Sequence, residues 1–222
     1  MRTPGVEIVA RGAISHVVTA RRFRSTGGPV RVENAVALTF DDGPSPVDTP
    51  RVLDILHRLH VHATFFVIGF LVDAYPQLVL REHRAGMSIG NHTYNHPEVP
   101  PFGTLPRRLL AAEIDLGAKS LARIGIVTHL LRPPAGNNSP RVESVAEAVG
   151  ERVVLWSVDP VDWAAGVTAA QIKRRVLSAV QPGSIVILHD GGGDRSATVA
   201  ALPGIIKGIR HRHLRLVALT PT

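Results

Sequence analysis

Short apolar runs alternate with longer segments of helical periodicity from residue 36 to residue 219, and this alternation restricts the fold more than any other feature of the chain. The apolar runs fall at 36–40, 63–67, 87–90, 129–131, 153–156, 184–188 and 214–219. Between them, apolar spacing predicts helices over 49–60, 71–85, 105–124, 141–149, 169–180 and 197–210. In the first of these, Val52, Leu53, Ile55 and Leu59 share one face. A helix between two strands carries the chain back to the end where the first strand began, so successive strands run parallel. About seven such units within 222 residues predict a closed or nearly closed barrel rather than an open sheet. Residues 1–30 are weakly patterned and rich in Arg, Gly, Ser and Thr. They are expected to form a weakly structured arm or an edge strand, with one α/β domain over residues 31–222.

The polar residues least expected beside apolar runs cluster directly after the predicted strands. The first run leads into Asp41-Asp42-Gly43-Pro44 and the third into Asn91-His92-Thr93-Tyr94-Asn95-His96. The fourth is followed by Arg132-Pro133-Pro134-Ala135-Gly136, the fifth by Asp159-Pro160-Val161-Asp162-Trp163, and the sixth by His189-Asp190. In a parallel barrel these strand ends share one face, where active sites are built. His92 and His96, four residues apart, can face one ion from a helical turn or a tight loop. A carboxylate beside them would complete a three-ligand site with an open position, the arrangement of catalytic rather than structural zinc. Adjacent aspartates at a strand end point in different directions, so one can bind metal while the other acts as a general base.

The chain has no cysteine, so any metal must rest on His, Asp or Glu. The formal charge of +7 is mostly arginine spread along the chain, which fits solubility and a modest attraction for polyanions such as cell-wall polymers. No nucleic-acid motif accompanies it, so nucleic acid is not expected as a partner. No apolar stretch is long enough to span a membrane, and residues 1–22 lack a continuous apolar stretch of signal-peptide length.

The five segments, taken in order, resemble the polysaccharide deacetylase family, the NodB homology domain of carbohydrate esterase family 4. The resemblance runs over residues 36–219. It implies an irregular (β/α) barrel of seven or eight strands and a metal-dependent hydrolase that removes N-acetyl groups from N-acetylglucosamine-containing polysaccharides, of chitooligosaccharide or peptidoglycan type. It implies Asp41 as base and Asp42, His92 and His96 as metal ligands. Arg132 would orient Asp41, and the Ala135 backbone N–H would help to hold the oxyanion. His189 would be the general acid, tuned by Asp162, and Trp163 and Leu188 would line the pocket for the acetyl methyl group. Members often carry an aromatic residue where this chain has Ala135. The N–H survives that change, but a side-chain contact to sugar is lost. The cofactor implied is a divalent metal, zinc foremost, with cobalt or another transition metal as alternatives. The partner implied is an N-acetylated glycan, which places the protein outside the cell or at the cell envelope.

Each feature alone has an ordinary explanation: an Asp-Asp turn, a chance His-x-x-x-His, a buried His-Asp pair. Their joint occurrence, each after an apolar strand, favours the metal site. Two other functions remain open on sequence. One is an acetylxylan esterase using the same metal site on an O-acetyl group. The other is a non-catalytic glycan-binding module. Gly191-Gly192-Gly193 lacks the Lys-Ser/Thr of a phosphate-binding loop and is expected to line the cleft. His57, His60, His62 and His83 are expected to face solvent or neighbouring turns, and Trp156 to sit in the core.

Overall fold

The computed structural model describes residues 34–219, so the expectation for residues 1–30 lies outside the described residues. The strands are β1 (Ala35–Gly43), β2 (Thr64–Val67), β3 (Ser88–Asn91), β4 (Leu130–Leu131), β5 (Arg152–Val153), β6 (Ile185–His189) and β7 (Arg215–Val217). The helices are α1 (Asp48–Arg58), α2 (Gly69–Ala74), α3 (Pro76–Arg84), α4 (Arg107–Arg123), α5 (Pro140–Ala148), α6 (Ala169–Ala179) and α7 (Ser196–His211).

All strand pairs are parallel, in the order β5-β4-β3-β2-β1-β6. Ala37 is the register partner of both Ile185 on β6 and Val217 on β7, so β7 takes the edge of β1 opposite β6. Beyond β7, the Leu219 N–H donates to Thr64 Oγ1 at the start of β2, 2.8 Å away. The sheet therefore curls, and the gap between β5 and β6 is bridged only locally. Ser157 and Val158 donate to Ile185 O at 3.0 and 3.1 Å, and Val158 bridges Val186. This is the irregular barrel implied by the family resemblance, with seven strands among the described residues.

Two elements differ from the sequence expectation. The single helix expected over 71–85 is two helices broken at Tyr75 (φ −132°, ψ 51°). The residue before a proline is pushed out of the helical region, and Pro76 then starts α3 where its missing N–H costs nothing. The strand expected over 153–156 stops at Val153. After Val154 donates to Leu131 O, the chain leaves β4 and crosses to β6, so no continuous ladder forms.

Side-chain alternation separates two cores. Val36, Leu38 and Phe40 of β1 and Val186 and Leu188 of β6 pack outward beneath the helices. Ala37, Phe66, Leu130, Val154, Ile185 and Leu219 fill the barrel interior. A third cluster joins α4 and α5 to β4 and β5 through Leu110, Ile114, Leu131, Val142 and Val153. The interior positions nearest the C-terminal strand ends are polar, and there the functional residues converge.

Candidate metal and acid–base site

Asp41 is buried and continues the inward-facing row Ala37–Thr39–Asp41 of β1. Strict alternation would send Asp42 outward, towards the helices. Instead Asp42 takes a left-handed conformation (φ 68°), and the register against β2 shifts between Asp41 and Gly43. This bulge returns the Asp42 carboxylate to the strand-end face. The Asp41-Asp42 pair thus serves one cavity from two directions.

His92 follows β3, and His96 lies beyond a turn in which Thr93 and His96 both hold left-handed backbone. The spacing is achieved by a loop, not a helix. His92 Nδ1 is 2.6 Å from the Arg132 carbonyl oxygen, which can only accept. Nδ1 therefore carries a hydrogen, which leaves Nε2 as the nitrogen available to a metal. His92 Nε2 and His96 Nε2 approach Asp42 Oδ1 at 3.4 and 3.2 Å. That oxygen is buried and has no hydrogen-bond partner among the described residues. One ligand atom from each of Asp42, His92 and His96 lies within 4.8 Å of the others. A carboxylate oxygen facing Nε2 of two imidazoles fits a divalent cation, and two nitrogens with one oxygen suit a transition metal.

Arg132 is fully buried behind the site, with its guanidinium 4.1 Å from the Phe66 ring centroid. Its Nη1 donates to Asp41 Oδ1 and Thr39 Oγ1, each at 2.7 Å, and its Nε to Val154 O at 3.1 Å. This occupies one Asp41 oxygen. The other, Oδ2, lies 3.8 Å from His92 Nε2. Across the cavity, His189 Nδ1 meets Asp162 Oδ1 at 2.7 Å, while Asp162 Oδ2 accepts the His189 N–H and Thr198 Oγ1 at 2.9 and 2.8 Å. Asp162 is thus fixed at both oxygens and in turn fixes the ring. Asp159 accepts the Val161 N–H at 2.7 Å and holds the left-handed turn that delivers Asp162.

The charges follow from this packing. Burial would raise the Asp42 carboxyl, but His92, His189 and His96 outweigh it and hold it well below the usual carboxylate range. Burial disfavours charge on His189, yet Asp162, with smaller contributions from Asp41 and Asp42, raises its pKa above the ordinary histidine value. His92 is raised in the same way, with burial opposed by Asp41 and Asp42. His96 is lowered, by burial and then by His92.

A cavity of about 490 Å³ opens over these groups. Asp41, Asp42, His92, His96, Ala135, Trp163 and His189 line it, and Arg132 and Asp162 support it from behind. Leu188 does not reach it. Leu188 packs into the outward core beneath the helices, and Ile187 lines the cavity instead. The period of 2 along β6 puts Ile187 on the same face as His189, so alternation could have identified it. Trp156, expected in the core, is half-buried and also lines the cavity. Glu98 and Arg195 line it too, without any local sequence signal. Arg195 donates to Gly191 O and Gly192 O at 2.6 and 2.9 Å, which ties the glycine loop down beside Asp42. His57, His60, His62 and His83 are exposed, as expected.

The polysaccharide deacetylase profile matches residues 30–154. The chain belongs to the polysaccharide deacetylase family. It is 41% identical to a Bacillus cereus peptidoglycan-N-acetylglucosamine deacetylase, over 85% of this chain and 87% of the relative. It is 39% identical to a chitooligosaccharide deacetylase of Sinorhizobium fredii, over 84% and 88%. A solved peptidoglycan N-acetylglucosamine deacetylase superposes with a TM-score of 0.79 at 36% identity, covering 83% of this chain and 86% of that one. The deacetylase barrel inferred from these five segments is thus the family's own architecture, and its motif-bearing strand ends are those that meet at the cavity.

Proposed function

We propose that this family member is a hydrolase removing N-acetyl groups from N-acetylglucosamine-containing polysaccharides, with a divalent metal held by Asp42, His92 and His96. The observation that carries this reading is Asp42 Oδ1, buried and without a hydrogen bond among the described residues, facing Nε2 of both histidines. Zinc fits the donor set, and cobalt is a workable substitute. Bound there, the ion would supply Lewis acidity, polarising the acetyl carbonyl and acidifying water.

The protein's own residues supply the proton transfers. Asp41, oriented through Oδ1 by Arg132, takes a proton at Oδ2 as water adds to the acetamide carbon. The Ala135 N–H, at the cavity wall, donates to the carbonyl oxygen as negative charge develops there. Removing such a donor typically costs about 3 kcal/mol of barrier. An amine leaves poorly until protonated. His189, held charged by Asp162, delivers a proton to the nitrogen as the C–N bond breaks, giving acetate and a free amine. Ile187 offers an apolar wall for the acetyl methyl group, and Trp163, more than half exposed at the rim, offers a face for a sugar ring. Such a substrate places the protein at the cell envelope or outside the cell. No helix among the described residues is long and apolar enough to cross a membrane.

The test is acetate release from N-acetylglucosamine oligomers by chelated enzyme and by the same enzyme reloaded with Zn²⁺ or Co²⁺. Release should vanish with chelator and return with either ion. Release that persists after complete metal removal would refute the metal site. Release from acetylated xylan alone would reassign the chain as an esterase, and glycan binding without any release would make it a binding module.

A further inference from the structure

Glu113 on α4 takes no part in the proton transfers above, yet it faces the loop that joins the two metal-site histidines. Its Oε2 accepts the backbone N–H groups of Tyr94 and Asn95 at 3.1 and 2.8 Å, and its Oε1 accepts Asn95 Nδ2 at 2.7 Å. The loop requires support of this kind. Thr93 and His96 hold φ values of 66° and 53°, a region unfavourable for residues other than glycine. The first N–H groups of α2, on Gly69 and Phe70, donate to the carbonyls of Thr93 and Tyr94. The strained turn is therefore held by two helices, its Thr93 and Tyr94 carbonyls by α2 and its Tyr94 and Asn95 N–H groups by one carboxylate of α4.

The approach of α4 is itself specific. Asn91, the last residue of β3, donates from Nδ2 to Ile114 O at 2.9 Å and accepts the Thr93 N–H at Oδ1, also at 2.9 Å. Gly117 lies one turn beyond Glu113. A Cβ there would fall 2.2 Å from Asn91 Oδ1 and 3.1 Å from the Thr93 carbonyl carbon. Only a glycine lets the helix come this close.

We propose that Glu113 is a positioning residue that holds the His92–His96 turn in the shape the shared metal requires. This rests on the metal-site reading above. Without the carboxylate, two N–H groups turn to solvent and the left-handed positions are free to relax. The two Nε2 atoms then lose their common focus on Asp42. Charge-assisted acceptance at two backbone groups is stronger than a neutral contact, so glutamine can replace it only in part and alanine not at all.

Glu113→Ala and Glu113→Gln, made in the full chain, would be compared with wild type for Co²⁺ affinity by chelator-competition titration followed in the visible spectrum, without substrate. Groups that orient metal ligands typically contribute about 10–100-fold in affinity. The alanine variant should weaken Co²⁺ binding by about tenfold or more, with the glutamine variant intermediate. Raising Co²⁺ should restore the alanine variant's turnover with its KM for glycan unchanged. A variant with a lower metal-free unfolding midpoint but wild-type Co²⁺ affinity would overturn the proposal, because support of the fold alone predicts that pattern. If Glu113→Ala does not fold, Glu113→Gln must still bind Co²⁺ more weakly than wild type, and equality would overturn the proposal. Wild-type protein that takes up no Co²⁺ would instead refute the metal-site reading, a result separate from parity between variant and wild type.

Discussion

Asp41 and Asp42 are chemically identical neighbours, and their environments divide their roles. Asp41 stays in the pleat of β1, facing inward, where Arg132 claims one oxygen and leaves the other towards the cavity. Asp42 leaves the pleat through a left-handed bulge and meets two imidazoles. Asp41→Asn keeps the shape and an oxygen for Arg132 but cannot take a proton. Turnover should fall by about 10²–10⁴-fold, the usual contribution of a positioned base, while metal content measured by elemental analysis stays at wild type. Wild-type turnover in that variant would remove Asp41 as the base, and loss of metal would make it a ligand. The adjacent carboxylates and paired histidines were legible because such residue types rarely follow an apolar strand together. Glu98 and Arg195 were not legible, because charged residues in loops are common and only packing brings these two to the cavity wall.

At the scale of elements, strand alternation adds residues to the site that the motifs do not name. Thr39 and Ile187 follow from Asp41 and His189 by counting two residues back, and Leu188 is excluded by the same count. Loops do not have this regularity, so the turn from His92 to His96 had to be seen. The fit of α4 against that turn yields a prediction of sign. In an ordinary helix, replacing glycine by alanine stabilises by about 0.5–1 kcal/mol. Gly117→Ala should destabilise instead, because a contact of 2.2 Å forces the helix or Asn91 to move, and overpacking typically costs about 1–3 kcal/mol. Urea unfolding at fixed pH measures the difference, and a Gly117→Ala protein at least as stable as wild type would show that α4 has room to spare.

Across the whole molecule, the polar network beneath the site links distant elements and makes stability depend on pH. Glu151 is buried just before β5 and meets Asn91 Nδ2 at 3.0 and 3.1 Å, with no ion pair among the described residues. Burial, only partly opposed by Asn91, pushes its carboxyl up to about 8. The folded state therefore holds a proton that the unfolded chain releases near the ordinary Glu value of about 4.3. This contribution is fully present below that value and is lost as pH rises towards 8. Glu151→Gln removes the titration. Its stability should change less than that of wild type between about pH 4.5 and pH 8, with the largest gain over wild type at the alkaline end. Parallel denaturation curves for the two proteins across that range would show that Glu151 titrates normally. The sequence by itself determined the βα alternation, the parallel strands, the family and the strand ends that carry the chemistry, because apolar periodicity and residue type are local properties. It also named Asp41, Asp42, His92, His96 and His189, the candidate residues that converge on the cavity. Only the tertiary structure decided which face each side chain takes after a bulge, that Pro76 splits one helix into two, that β5 ends early to cross towards β6, and that Ile187 rather than Leu188 reaches the cavity. Those outcomes depend on register and close approach between segments far apart in the chain, where a shift of one residue turns a side chain from the site into the core.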